Sequence, residues 1–237
     1  MSTHVTTQNL VRSDVVEAST DEAGAARASR GWAYAGIGAA LAGIGTVVTS
    51  GMVNAIYDKD IAGDPAAIMA KLQDQTGAMY AFHTFTTVGA VLLLVFAAGL
   101  YRRLRTSLPD SILPTLALSG LIGTAFVSIM GSGLDTEFMM GLSQEDAVLP
   151  TSAVMYNHWI GTIPWLWTLA GLAGVALFAA FRRGGVPRWI GLVGLVLGGL
   201  TLLLGVSPLQ YMAGMTGPLW LLVTALGFSF GDKAHRA

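Results

Sequence analysis

Two histidines and two carboxylates are the residues of this sequence best suited to chemistry. His83 and His158 each lie inside a long stretch without charged residues, whereas Asp135 and Glu137 directly follow another such stretch. An ionisable side chain within a membrane segment is costly to bury, so it indicates a functional site by default. Imidazole can ligate a metal or exchange protons near neutral pH. These four residues define the candidate site.

A haem or metal-ion site is the specific function that the histidines favour. Neutral imidazole ligates Zn, Cu and Fe, and haem held between helices takes axial His or Met. His83 and His158 are therefore predicted to form one cofactor and metal site, sufficient for bis-His haem but incomplete for zinc or copper. Further ligands would come from Asp135, Glu137 or nearby methionines. Those methionines are Met130, Met155, Met212 and Met215.

A membrane enzyme is the second interpretation, with a lipid or isoprenoid substrate reached from the outer leaflet. Asp135 and Glu137 are then the candidate catalytic acids, acting beside His83 and His158. The glycines of the preceding Gly131-Ser132-Gly133 segment allow the backbone to approach a ligand closely. This interpretation requires at least one of the two carboxylates to lie beside an imidazole.

A third interpretation assigns the histidines no chemistry. Both lie near the expected membrane interface, where aromatic residues such as Tyr80, Tyr156 and Trp159 form a belt. The chain is then a small-molecule transporter or an assembly partner without a catalytic site. Pro164 and Pro218 interrupt two predicted helices, and broken helices are found at transporter sites as well as at simple kinks.

The elements that position these residues are membrane helices. Charged residues make up 11% of the 237 residues, against about a quarter in a soluble domain. A bilayer core needs about 20 apolar helical residues per crossing. The charge-free stretches are 31–57, 75–101, 111–134, 147–181 and 189–231. The last of these is long enough for two crossings, divided at residues 207–210. We therefore predict an all-α, six-transmembrane-helix bundle of three hairpins. The predicted helices are 32–56, 78–101, 112–133, 154–181, 188–206 and 210–230.

Composition also excludes several function classes. The sequence has no Cys, so thiol catalysis, disulfides and Cys-ligated metals are excluded. The net charge of −1 gives no basis for binding nucleic acid. The predicted partners are the lipid bilayer and, through the helices, a second copy or another membrane subunit.

Charge asymmetry predicts the orientation of the chain. Arginines flank one set of predicted helix ends, and acidic residues dominate the loops 57–77 and 134–153 at the other. Lys and Arg concentrate in cytoplasmic loops, so both termini are expected in the cytoplasm and the two acidic loops outside, in the plasma membrane. The three expected regions are a disordered cytoplasmic tail over 1–30, a transmembrane domain over 31–231 and a cytoplasmic tail over 232–237.

Two short surface helices are expected in the outer loops. Asp64-Pro65 precedes apolar residues at helical spacing, which is typical of a helix start. Ser143-x-x-Asp146 resembles a capping box, which predicts the start of a second short helix. Pro150 is predicted to end that helix.

Small residues at four-residue spacing are expected to let the long helices pack closely. Examples are Gly36 with Ala40, Ala39 with Gly43, Ser119 with Gly123, Ala170 with Gly174, and Gly194 with Gly198. Packing within one chain and a homodimer face are the two alternatives for these positions.

Overall fold

Six long helices form the protein in a computed structural model that describes residues 31–144 and 147–232. Each is long and apolar enough to cross a membrane, which confirms the predicted all-α six-helix fold. We refer to them as the first to sixth spans. They cover Gly31–Met52, Thr76–Ser107, Leu113–Gly141, Pro150–Arg182, Arg188–Val206 and Gln210–Gly231. The predicted tail over 1–30 and residues 233–237 lie outside the described residues.

The spans pack in chain order, and the sixth closes against the first. Consecutive spans are therefore neighbours in the bundle, as expected for helical hairpins. Trp32 of the first span contacts Phe228 of the sixth, with ring centroids 5.3 Å apart. The resulting main core lies between the spans and contains many Ala and Leu side chains.

Glycines allow the fourth and fifth spans to approach backbone to backbone. A Cβ on Gly174 would lie 2.6 Å from the Cα of Gly198, closer than packed atoms allow. Gly194 and Gly198 also form a π-helical turn over Gly194–Gly198 within the fifth span. The predicted small-residue pair of the fifth span therefore packs within the chain.

The second span is longer than the sequence predicts. It runs for 32 residues, or ~48 Å at 1.5 Å per residue, and it includes the arginines at 102, 103 and 105. Arg favours helix, and a cation in the last turn complements the helix dipole. The helix stops at Ser107, two residues before Pro109, whose ring disfavours helical conformation in the preceding residue.

The fourth span is broken near its middle. Its first helix covers Pro150–Thr162, a 3₁₀ turn covers Ile163–Trp165, and a second helix covers Thr168–Arg182. Pro164 cannot donate to the carbonyl of Ile160, and the hydroxyl of Ser50 donates to that oxygen instead, at 2.8 Å. Pro218, by contrast, lies within a continuous helix over Ala213–Leu226.

One end of the bundle, which we call the acidic end, carries the segments 53–75 and 132–149. A short helix over Pro65–Asp74 lies there, and the Asp64 side chain caps it by accepting from the amides of Ala66 and Ala67, as predicted. The second short helix covers Asp135–Gly141. The predicted position after Ser143 is wrong, because Pro150 begins the fourth span instead of ending a surface helix. Residue 146 lies outside the described residues.

A buried ion pair lies at the opposite, basic end. The Arg103 guanidinium donates from Nε to Asp232 Oδ2 at 2.8 Å, and from Nη1 to the Ser107 hydroxyl. The two charged side chains are 6% and 1% exposed. This contact joins the end of the sixth span to the second span.

Candidate functional site

The third span is interrupted at its acidic end, directly before Asp135. Its long helix ends at Gly131, and a new helix begins at Asp135 after the linking residues 132–134. A Cβ on Gly131 would overlap the side chain of Ile163 at the break of the fourth span. Glycine is therefore required for these two segments to meet beside Asp135.

Asp135 is the centre of the candidate site. Its side chain is completely buried, and both carboxylate oxygens are hydrogen-bonded. Oδ2 lies 3.1 Å from Nδ1 of His83, and Oδ1 accepts a hydrogen bond of 3.0 Å from the Tyr156 hydroxyl. Burying a carboxylate costs a large desolvation free energy unless such partners compensate it. The two contacts therefore account for the presence of this group inside the protein.

His83 forms the accessible side of the site. Its side chain is 33% exposed, whereas that of Asp135 is 0% exposed. Nδ1 faces the carboxylate, so Nε2 is the ring nitrogen left for another partner. With the carboxylate accepting from Nδ1–H, Nε2 carries the lone pair of a neutral imidazole.

Packing of its neighbours fixes the position of Tyr156. Its ring stacks on that of Phe138, with centroids 4.3 Å apart and an interplanar angle of 3°. The next residue, Asn157, is also buried: its amide donates to Val53 O at 2.7 Å and its oxygen accepts from the Ile56 amide at 3.0 Å. These bonds attach the start of the fourth span to the turn after the first.

Around these residues lies a separate small apolar core at the acidic end. It includes Leu72 from the Pro65–Asp74 helix, Met79 and Phe82 from the second span, and Met139 and Ile160 from the third and fourth. Phe82 directly precedes His83, so this core anchors the segment that carries the imidazole.

The other predicted site residues lie elsewhere. Glu137 is exposed, because it lies on the outer face of the helix that buries Asp135. His158 is also exposed, and among the described residues its side chain makes no hydrogen bond. One turn further on, Thr162 contacts the Tyr211 hydroxyl at 3.3 Å. The structure therefore joins His83 to Asp135 and gives His158 no part in that network.

Sequence reasoning did not identify Tyr156 as a site residue. It was expected in an interfacial aromatic belt, but it is 1% exposed and bonded to Asp135. Interfacial and buried tyrosines have the same local sequence pattern, and the burial depends on Phe138. In this part of the chain, the sequence signal is the adjacent Asn157, which is too polar to face lipid.

Within the described residues, no group of three or more His, Asp or Glu side chains is arranged to hold a metal ion. The haem or metal site at His83 and His158 therefore stays a prediction. No family model, curated protein or solved structure matches the chain.

Proposed function

We propose that this multi-pass membrane protein is an enzyme with an acid–base site at its acidic end, acting on a lipid or isoprenoid substrate. The supporting observation is the buried carboxylate of Asp135, which contacts His83 on one side and Tyr156 on the other. A partly exposed imidazole backed by a buried carboxylate is the arrangement of a general base held in one tautomer. The contact supports the enzyme interpretation, which requires a carboxylate beside an imidazole, although Asp135 here positions the ring and is not itself the catalytic acid.

In this proposal, His83 Nε2 takes a proton from the substrate and later returns it. Asp135 holds the ring in place and stabilises the imidazolium that forms, without needing to accept the proton itself. Tyr156 donates to the second carboxylate oxygen, so Asp135 keeps one orientation. Only His83 touches the substrate, and the other two residues position it.

The location of His83 supports an amphiphilic substrate. His83 is seven residues into the second span, or ~10 Å from its start at 1.5 Å per residue. Tyr80, one turn nearer the end, is 53% exposed on the surface of the bundle. With the start of the span at the headgroup level, His83 lies near the level where a lipid headgroup meets its chain, and a headgroup-proximal bond is the proposed point of reaction.

The membrane and orientation belong to the same proposal. Arg102, Arg105, Arg182 and Arg188 are all exposed at the basic end, and the positive-inside rule assigns such an end to the cytoplasm. The acidic end then faces outward from the plasma membrane. Because the chain contains no Cys, single substitutions Asp60→Cys and Asp110→Cys test this orientation in whole cells. An impermeant maleimide should label the first and spare the second, and the reverse result would invert the topology.

Substitutions of the paired and unpaired carboxylates test the proposed activity. Membrane lipids are extracted from cells that express the wild type, His83→Gln, Asp135→Asn or Glu137→Gln, and they are compared by mass spectrometry with lipids from cells without the chain. The wild type and Glu137→Gln should change the abundance of the same lipid. The His83 and Asp135 variants should lose this effect, since a general base contributes roughly 10²–10⁴ in rate.

Equal lipid profiles for the wild type and His83→Gln would remove the proposed function. Glu137→Gln is the matched control, because Glu137 is an exposed carboxylate two residues from Asp135 on the same short helix. A loss with Glu137→Gln as large as that with Asp135→Asn would remove the special role of the buried carboxylate.

A haem or metal site is the second candidate, and the same contact favours it. A carboxylate on Nδ1 commonly orients an imidazole that ligates a metal through Nε2. Purified protein should then contain Zn, Cu or Fe, or show a Soret band, and His83→Gln should abolish the signal. His158→Gln should also abolish it if His158 is a ligand. Purified wild-type protein without metal or haem would exclude this candidate.

A further inference from the structure

A small cavity lies at the break of the fourth span. It has a volume of about 20 Å³ and lies between the first, second, third and fourth spans. A cavity of more than ~10–15 Å³ accommodates one water-sized guest, provided that it has polar partners. Its polar wall is formed by Thr46, Thr86 and Ser128, and Ile163 and Pro164 of the 3₁₀ turn form another side.

The hydroxyl groups in this wall are acceptors toward the cavity. Each donates its proton to a carbonyl one turn back on its own helix. Thr46 bonds to Ala42 O at 3.0 Å, Thr86 to Phe82 O at 2.7 Å, and Ser128 to Thr124 O at 3.0 Å. Each hydroxyl oxygen therefore retains lone pairs but no free proton.

The indole N–H of Trp167 is the remaining polar group of the wall, and it is also already hydrogen-bonded. Trp167 Nε1 donates to Pro164 O at 3.1 Å, so it offers the cavity no donor. The Thr46 and Thr86 oxygens lie 3.4 Å apart, and both protons have shorter bonds elsewhere. The Thr86 hydroxyl can also donate to Thr46 Oγ1 across this contact, and the lone pairs that remain on both oxygens suit a guest that supplies protons or positive charge.

The broken helix adds to this preference. The helix Pro150–Thr162 ends at the cavity, and the carbonyl end of a helix carries partial negative charge. Unwound segments of membrane helices bind cations in this way. No Asp, Glu, Lys or Arg is among the twelve residues that line the cavity.

We infer that this cavity is a binding site for one small guest that presents positive charge or hydrogen-bond donors to oxygen. A sodium ion and a water molecule share this chemistry. The site is separate from His83 and Asp135, neither of which lines the cavity. An ion bound here would couple sodium to the packing of the first, second and fourth spans.

Isosteric substitutions test the guest. Thr46→Val and Thr86→Val each remove a hydroxyl oxygen from the cavity while keeping the side-chain shape. Thr124→Val is the matched control, because Thr124 is buried and bonds to Gly120 O at 3.0 Å but does not line the cavity. The two cavity variants should lower the Tm of the purified protein by roughly 2–4 °C more than the control, as expected for one further lost hydrogen bond in a chain of this size.

A second measurement, in which the cation of the buffer is exchanged, distinguishes sodium from water as the guest. Replacing choline chloride by sodium chloride at equal ionic strength should raise the Tm of the wild type and of His83→Gln, but not of the Thr46→Val/Thr86→Val variant, if the guest is sodium. A sodium-independent Tm together with the excess loss in both cavity variants identifies water. Equal Tm losses for Thr46→Val, Thr86→Val and Thr124→Val, without a sodium effect, would overturn the inference. A sodium response unchanged in His83→Gln separates it from the proposed enzyme function.

Discussion

The second span carries a buried carboxylate partner at each of its ends, and the two partners differ in kind. At the basic end, Arg103 pairs with Asp232, and both side chains are almost completely buried. At the acidic end, His83 contacts Asp135, and the imidazole remains one-third exposed. Both carboxylates are inaccessible, so the difference lies in the group beside them.

Arginine keeps its proton at all physiological pH values, whereas imidazole exchanges one near neutrality. The Arg103–Asp232 pair therefore cannot transfer a proton, and it joins helices. His83 can transfer one, and its exposed side can meet another molecule. Burial of a carboxylate alone therefore does not distinguish a structural role from a catalytic role. The group that the carboxylate contacts does.

The largest expected effect is at the basic end. Arg103→Ala should lower the free energy of unfolding by about 3–5 kcal/mol, because it removes one partner of a buried ion pair. Unfolding in mixed micelles measures this change. The double variant Arg103→Met/Asp232→Leu should recover most of the loss, since an apolar pair of similar volume avoids the desolvation cost. A double variant no more stable than Arg103→Ala would assign the pair more than a joining role.

Asp135→Ala should cost less stability, about 1–3 kcal/mol for the two hydrogen bonds that it removes. The same unfolding measurement applies, with Glu137→Ala as the exposed control. A change of similar size in both variants would mean that the contacts of Asp135 with His83 and Tyr156 contribute nothing. A loss above that of Arg103→Ala would reverse the comparison between the two ends.

His83→Gln separates stability from chemistry. One partly exposed hydrogen bond is lost, so the free energy of unfolding should fall by about 0.5–1.5 kcal/mol. The proposed lipid effect should nevertheless disappear. A mild loss of stability together with complete loss of the lipid effect would support a chemical role for His83. An unchanged lipid effect would contradict that role.

The smallest effect is expected for the partly exposed pair of Asp58 and Lys71 at the acidic end. The Lys71 ammonium donates to Asp58 Oδ2 and, with the Asp60 amide, holds the pKa of Asp58 below its ordinary value of 3.8. A carboxyl whose pKa is lower in the folded state stabilises the fold above its unfolded pKa. That contribution disappears as the pH falls through the folded pKa. Wild type and Asp58→Asn should therefore differ slightly in Tm at pH 7, less so in 0.5 M salt, and converge at low pH; a salt-independent difference would contradict this.

The sequence predicts the fold well because segments that cross a membrane are long, apolar and nearly free of charged residues. Charge-free runs locate every span, and Asp64-Pro65 locates the first short helix. The second short helix was misplaced, because the glycine-flanked bend after Gly131 depends on contact with Ile163 of the fourth span. A local pattern carries no information about that contact.

The candidate site was predicted only in part. The depth of His83 and the presence of Asp135 near it follow from sequence, since both lie at the same end of adjacent spans. Rotation about each helix axis does not follow, and rotation decides that His158 is exposed while Tyr156 points inward. Helix–helix packing sets that rotation. A single sequence therefore indicates how far along the helices a site lies, but not which side chains form it.

The three contributors to the Asp135 network come from the second, third and fourth spans, in that order of synthesis. His83 is made 52 residues before Asp135, and Tyr156 follows 21 residues after it. Because chains are made from the N-terminus onward, the third span enters the membrane with one of its two carboxylate partners still missing. The site is therefore complete only after the fourth span has been inserted, and a chain truncated before Tyr156 would lack the hydrogen bond to Asp135 Oδ1.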